Sequence, residues 1–149
     1  MIALACDHAA LEMKQMIKNL LNEMGLEYHD YGTFTEDSCD YPIFAARAAG
    51  AVASGECDRA IVICGTGIGM SIAANKVKGV RCALCGDVYS AEMTRRHNDS
   101  NVLALGARVT GIEVARLIAK TWLSTEFEGG RHARRVELIS KIEAGENLG

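Results

Sequence analysis

Cys64-Gly65-Thr66-Gly67-Ile68-Gly69 sets a thiol directly before three alternating glycines. Glycines let backbone N–H groups approach a ligand closely, and a helix opening behind them favours an anion. Thiols at helix N-termini are the ones that supply thiolate as base or nucleophile. Other chemistries use similar loops. A dinucleotide site wants G-x-G-x-x-G at the first strand–helix turn, with an acid about 20 residues on. Here the spacing is tighter and Lys78-Gly79 stand in that region. A phosphate-binding P-loop needs a lysine where Gly69-Met70-Ser71 has none. A cysteine phosphatase needs an arginine at the position of Met70. What remains is a loop aimed at an oxyanion with Cys64 beside it. The alternative is that Cys64 is simply the last buried residue of a strand.

Three further polar groups stand out. Asp7-His8 follows the first apolar run, where packing rarely needs an ionisable pair; capping the first helix is the alternative for Asp7. His97-Asn98-Asp99 ends a helical segment, a position electrostatically comfortable for histidine. Arg131 and Arg135 lie one turn apart at the start of the last helix, where cations oppose the macrodipole. Either Glu126, Glu128 or Glu137 offsets them, or a phosphate dianion does. No H-E-x-x-H and no histidine pair at ligand spacing points to a catalytic metal. Cys82-x-x-Cys85 has no second pair at zinc-finger spacing, so both read as small buried hydrophobes facing opposite sides of a strand.

The elements that must carry these residues alternate along the chain. Strands are expected over Ile2–Cys6, Glu27–Tyr31, Ala60–Cys64, Val80–Cys85 and Val102–Leu105; three are almost wholly apolar, as strands covered on both faces should be. Met13, Met16, Ile17, Leu20, Leu21 and Met24 form one helical stripe that Gly25 ends. A second helix starts after Asp40 with Pro42 in its first turn and runs to Gly55. Others are expected near Gly69–Val77, Val88–Arg96, Ile112–Leu123 and Ala133–Ala144. Five strand–helix units and an extra C-terminal helix predict one Rossmann-like, three-layer α/β/α domain over 1–149 with a five-stranded parallel sheet. Ligands in such folds bind beyond the carboxyl ends of the strands. The ends that matter are Cys6-Asp7-His8, the glycine loop and Gly106-Ala107-Arg108.

The 149 residues are 49% hydrophobic and 23% charged, with net charge −3. Disorder, a membrane span and a nucleic-acid partner are not expected from those values. The first residues lack the pattern of a signal peptide, and six cysteines without a secretion signal read as reduced and cytoplasmic.

In order along the chain, Cys6-Asp7-His8, Asp40-Tyr41-Pro42, Cys64–Gly69 with Ala73-Ala74-Asn75-Lys76, His97-Asn98-Asp99 and Glu128–His132 resemble the type B ribose-5-phosphate isomerases, grouped with the galactose-6-phosphate isomerases. The resemblance spans essentially the whole chain. It implies strand order 2-1-3-5-4 and aldose–ketose isomerisation of a phosphorylated sugar without metal or cofactor. Cys64 would be the base acting through a cis-enediolate, with the amides of Gly65 to Gly69 on the oxyanion and Gly65, Gly67 and Gly69 at the substrate. Thr66 would handle hydroxyl protons and His97 would open the furanose. Asp7, Tyr41 and Asn98 would hold the sugar, and His8, Arg108, Arg131 and Arg135 the phosphate. One branch of that family places a glutamate base where this chain has Met70, so the resemblance is to the cysteine branch. The full residue set in one chain implies a homo-oligomer acting on ribose 5-phosphate. A hexose 6-phosphate (allose or galactose), a noncatalytic sugar-phosphate sensor and a nucleotide-binding module are the alternatives.

One conflict follows from topology. Helices run antiparallel to the parallel strands, so a fourth helix reaching His97 ends at the amino edge of the sheet, while Cys64 lies at the carboxyl edge. Either that helix stops early or a second subunit supplies His97. The second is expected, in a homodimer with shared sites.

Overall fold

Along the central strands, large and small apolar residues alternate, and this alternation decides which helix covers which face. A computed structural model describes residues 1–149. Its strands are β1 (Ile2–Cys6), β2 (Tyr28–Asp30), β3 (Arg59–Cys64), β4 (Cys82–Leu84) and β5 (Val102–Gly106). Its helices are α1 (Leu11–Glu23), α2 (Tyr41–Ala53), α3 (Ile68–Ala74), α4 (Val88–Asn98), α5 (Ile112–Ser124) and α6 (Arg131–Glu143). All strand pairs are parallel, in the order β2-β1-β3-β5-β4. The expected order and three-layer architecture are therefore observed.

Ile2, Leu4, Ile61, Ile63, Leu103 and Leu105 face one side and pack with Met13, Ile17, Leu20 and Leu21 of α1 and Ile118 and Trp122 of α5. Ala3, Ala5, Ala60, Val62 and Ala104 face the other, where the alanines of α2 and Met70 and Ala74 of α3 close over them. Small residues on both sides let α2 approach the sheet closely. Cys64 falls on this second face, beneath the starts of α2 and α3. The site is thereby confined to one side of the sheet's carboxyl edge.

Gly25 takes φ +67, with its N–H donating to Asn22 O and Leu26 N–H to Leu21 O, the two bonds of a Schellman stop. Strand β4 begins later than the apolar run Val80–Cys85 because the first amides of the run bond outside the ladder, Val80 N–H to Val77 O and Arg81 N–H to Asn101. Asn101 Oδ1 accepts from Arg81 N–H and Asn75 Oδ1 from Cys82 N–H. The two thiols of this run belong to opposite cores, and burial pushes Cys82 up to about 12 and Cys85 up to about 11. All six cysteines are free.

A buried ion network ties the segment after β2 to α1. Lys14, 3% exposed, donates to Asp30 Oδ1 at 2.9 Å and to Thr33 O, and Lys18 Nζ lies 2.6 Å from Asp30 Oδ2. Burial raises the Asp30 carboxyl, but Lys18, Lys14 and the Gly32 amide outweigh it and hold the group below its ordinary value. Its ionised form thus contributes stability that is present above the unfolded carboxylate range and is lost as pH falls through the lower folded value. Asp30→Asn strands the Lys14 ammonium. It is expected to cost about 3–5 kcal/mol in urea unfolding at neutral pH, and to flatten the acid limb of the stability profile.

Candidate active site

Register brings the first two motifs together. Cys6 pairs with Ile63, and Asp7 N–H donates to Ile63 O, so Asp7 stands beside Cys64 on the neighbouring strand. Asp7 does not cap α1: its Oδ1 accepts from Ala9 N–H at 2.9 Å, and the helix starts behind Ala10 without a side-chain cap. The capping alternative fails, and Asp7 remains a largely buried carboxyl at the strand end. His8 Nδ1 lies 3.3 Å from Cys39 N, whose N–H donates to it, which turns the segment before α2 over the strand end.

The glycine loop is shaped by what its missing side chains would hit. Gly67 has φ +78, and a Cβ there would lie 2.5 Å from Leu84 Cδ1 and 2.9 Å from the Leu105 carbonyl carbon. At Gly69 a Cβ would lie 2.7 Å from the Tyr41 ring, so the phenol at the start of α2 lies directly over the loop. At Gly65 the nearest group is the Arg108 side chain, at 3.3 Å. Arg108 N–H donates to Gly65 O, and Ala107 N–H to Cys64 O, locking the end of β5 onto the loop. Gly67→Ala is expected to cost about 1–3 kcal/mol from strain and overpacking. It should lower turnover as well, read by thermal melting beside an activity assay.

Gly67 N–H donates to Cys64 Sγ at 3.2 Å, and the thiol is 5% exposed. Ile68 N–H donates to Thr66 Oγ1 at 3.2 Å. The Gly67 amide is therefore turned to the sulfur, not outward with its neighbours. The N–H groups of Gly65, Thr66, Gly69 and Met70 have no acceptor in the protein. Met70 itself is fully buried, so its side chain offers nothing to the pocket. A recess of about 390 Å³ opens at this edge, lined by Thr66, Ile68, Leu84 and Gly106 among others.

His97 and Asn98 lie elsewhere. Helix α4 runs to Asn98, so the possibility that it stops early is ruled out. Asn98 O accepts from Arg81 Nε, just before β4 begins. Register pairs Ala60 and Cys82 with Val102, and Cys64 with Gly106, four residues further on. At ~3.3 Å per residue the two groups sit ~13 Å apart along the strands. Arg95, 4% exposed, fixes this corner by donating to Asp99 Oδ1, Ser100 O and Thr125 O while Asp99 turns at φ +46.

Arg131 and Arg135 begin α6 at the same corner. Glu128 pairs with Arg96 and His132, and Glu137 with Lys141, so no carboxylate lies within 4.0 Å of Arg131 or Arg135. The glutamate explanation for their charge is thereby removed. Arg108, at the other edge, is also without an acidic partner. A second recess, about 530 Å³, adjoins Asn98 between α4 and α6. It is larger than the one beside the glycine loop, and its thiol is Cys82, which burial pushes up to about 12. Sequence spacing did not reveal that His132 stacks on His97, with centroids 4.3 Å apart and rings 14° from parallel. That contact depends on how α6 packs on α4.

Fold and site define a three-layer α/β enzyme with a thiol against an amide-rich loop and unpaired guanidinium groups suited to a phosphorylated metabolite. Residues 2–139 match the model of the Ribose/Galactose Isomerase family. Ribose-5-phosphate isomerase B of Escherichia coli (strain K12) is 50% identical over 146 residues, 98% of each chain. The D-erythrulose-4-phosphate isomerase of Pectobacterium atrosepticum is 46% identical over 143 residues, 95% of this chain and 94% of that one. The solved structure of Clostridium thermocellum ribose-5-phosphate isomerase B superposes with TM-score 0.95 at 53% identity, over 97% of both chains. The chain belongs to the ribose/galactose isomerase family and is a sugar-phosphate isomerase of the aldose–ketose type. No helix is long and apolar enough to cross a membrane.

Proposed function

We propose that this chain interconverts ribose 5-phosphate and ribulose 5-phosphate without a metal, with Cys64 as the base. The observation that carries the reading is the Gly67 amide directed at the Cys64 sulfur, which gives a thiolate at the end of β3 a hydrogen-bond donor. His97 gives a proton to the furanose ring oxygen and takes up the one the C1 hydroxyl loses, so the ring C–O bond breaks and the open aldehyde forms. Cys64 thiolate then takes the proton from C2. The electron pair moves into a cis-enediolate, and the thiol returns the proton to C1. Preorganised amides of the glycine loop stabilise the oxyanion as it forms. Those of Gly65, Thr66, Gly69 and Met70 are the free donors, whereas Gly67 serves the sulfur and Ile68 the Thr66 hydroxyl. Thr66 carries a hydroxyl proton between O2 and O1.

Asp7, Tyr41 and Asn98 hold sugar hydroxyls. His8, Arg108, Arg131 and Arg135 hold the phosphate, with Arg131 and Arg135 presented as a one-turn pair for bidentate contacts. Because His97, Asn98, Arg131 and Arg135 lie at the opposite edge from Cys64, a homodimer completes each site from two copies. We infer a reducing, cytoplasmic setting for its free thiols.

The relative named for erythrulose 4-phosphate favours testing a second substrate length. Comparison of kcat/KM for ribose 5-phosphate, erythrulose 4-phosphate, allose 6-phosphate and galactose 6-phosphate decides this. Ribose 5-phosphate is expected to lead. A lead by another sugar phosphate would replace the substrate and keep the chemistry. Binding of the sugars, seen as a raised melting temperature without turnover of any of them, would leave the sensor reading.

A further inference from the structure

His97, Glu128 and His132 bring one oxygen and two imidazole nitrogens together, with all donor atoms within 4.8 Å of one another. Two segments supply them: His97 stands next to last in α4, while Glu128 precedes α6 and His132 lies in its first turn. Their approach is built in. Glu128 N–H donates to Arg96 O at 3.1 Å, and Arg96 holds Glu128 Oε1 at 3.3 Å. This leaves Glu128 Oε2 facing His132 Nε2 at 3.5 Å. His132 is buried against the His97 ring. Neutral imidazoles and a carboxylate are the donor set of open zinc sites, in which tetrahedral bonds of 2.0–2.1 Å put neighbouring donors ~3.3 Å apart. The longest separation closes by about 1.5 Å to reach that value, and one imidazole turns out of the stack so that both in-plane lone pairs meet at the cation. Arg131 and Arg135 oppose a dication here, and the Glu128 carboxylate in the donor set attracts it.

We infer that His97, Glu128 and His132 form an inhibitory site for a borderline-soft divalent cation such as zinc. The cation takes one imidazole lone pair of His97 and thereby blocks furanose opening. No bond in the sugar changes; the metal only occupies the acid–base nitrogen. The inhibition rests on the role proposed for His97, whereas cation binding does not.

The test uses Co²⁺ as a spectroscopic probe and Zn²⁺ as inhibitor on the full chain. Wild type, Cys64→Ser and Cys39→Ser are expected to bind one Co²⁺ per chain. All should show visible d–d absorption and no thiolate charge-transfer band in the near ultraviolet. Glu128→Gln, an exposed position whose amide still reaches Arg96, should need at least about tenfold more Co²⁺ and Zn²⁺ for the same signal and the same inhibition. His132→Gln should do likewise, with circular dichroism verifying its fold. EDTA should restore wild-type turnover. A thiolate band, or equal Zn²⁺ sensitivity in wild type and Glu128→Gln, would overturn the site. Tight binding lost in Glu128→Gln but without inhibition would keep the site and reject the role of His97. Absence of turnover under every condition leaves the spectra to decide.

Discussion

Mixing two inactive proteins, Cys64→Ala and His97→Ala, is expected to return about a quarter of wild-type turnover. In a two-fold dimer, random exchange makes about half the dimers mixed, and each mixed dimer has one wild-type site and one doubly altered site. The expectation follows from topology, not from motif matching. Helix α4 continues to Asn98 and Arg81 receives its end beside the start of β4, while Cys64 ends β3 at the other edge. Within one chain the two groups are ~13 Å apart along the strands. No recovery after subunit exchange has been verified by mass spectrometry of tagged chains would contradict the shared site. Full activity of either parent would remove that residue from the mechanism.

Cys64→Ala alone is expected to lower kcat/KM for ribose 5-phosphate by about 10²- to 10⁴-fold, the range for removing a positioned acid–base group. The fold should survive, since the change removes one sulfur at the end of β3. It leaves the Gly67 N–H without a partner, at a cost of about 1–3 kcal/mol. Melting temperature and circular dichroism would separate the chemical loss from this structural one. Cys64→Ser should recover little, because a hydroxyl replaces thiolate by a much weaker base. A loss confined to KM would assign Cys64 to substrate binding instead.

The strands and the carboxyl-edge half of the site were legible because local pattern controls them. Apolar runs with turn residues at their ends located β1, β3 and β5. The positions of Asp7, Cys64 and Arg108 follow directly from where those strands stop. Gly67 was readable too, since its backbone conformation and the close approach of Leu84 leave no room for another residue. Strand β4 starts later than its apolar run suggests, because the partners of the Val80 and Arg81 amides, Val77 and Asn101, lie outside the run. Strand β2 was also drawn longer than Tyr28–Asp30. Asp7 looked able to cap α1, but its carboxylate turns to Ala9 before the helix begins. The His97–His132 stack and the Arg95–Asp99 brace were not legible. They depend on packing between α4, α5 and α6, which spacing along one helix does not encode. Charge alone also left Arg131 and Arg135 ambiguous until Glu128 and Glu137 were found paired elsewhere.

The most direct test of the central claim is conversion of ribose 5-phosphate by purified wild-type protein in excess EDTA, with Cys64→Ala assayed alongside. The account predicts turnover undiminished by the chelator and lost in the variant. Turnover that stops in EDTA and returns with a divalent metal, or that persists in Cys64→Ala, would contradict it.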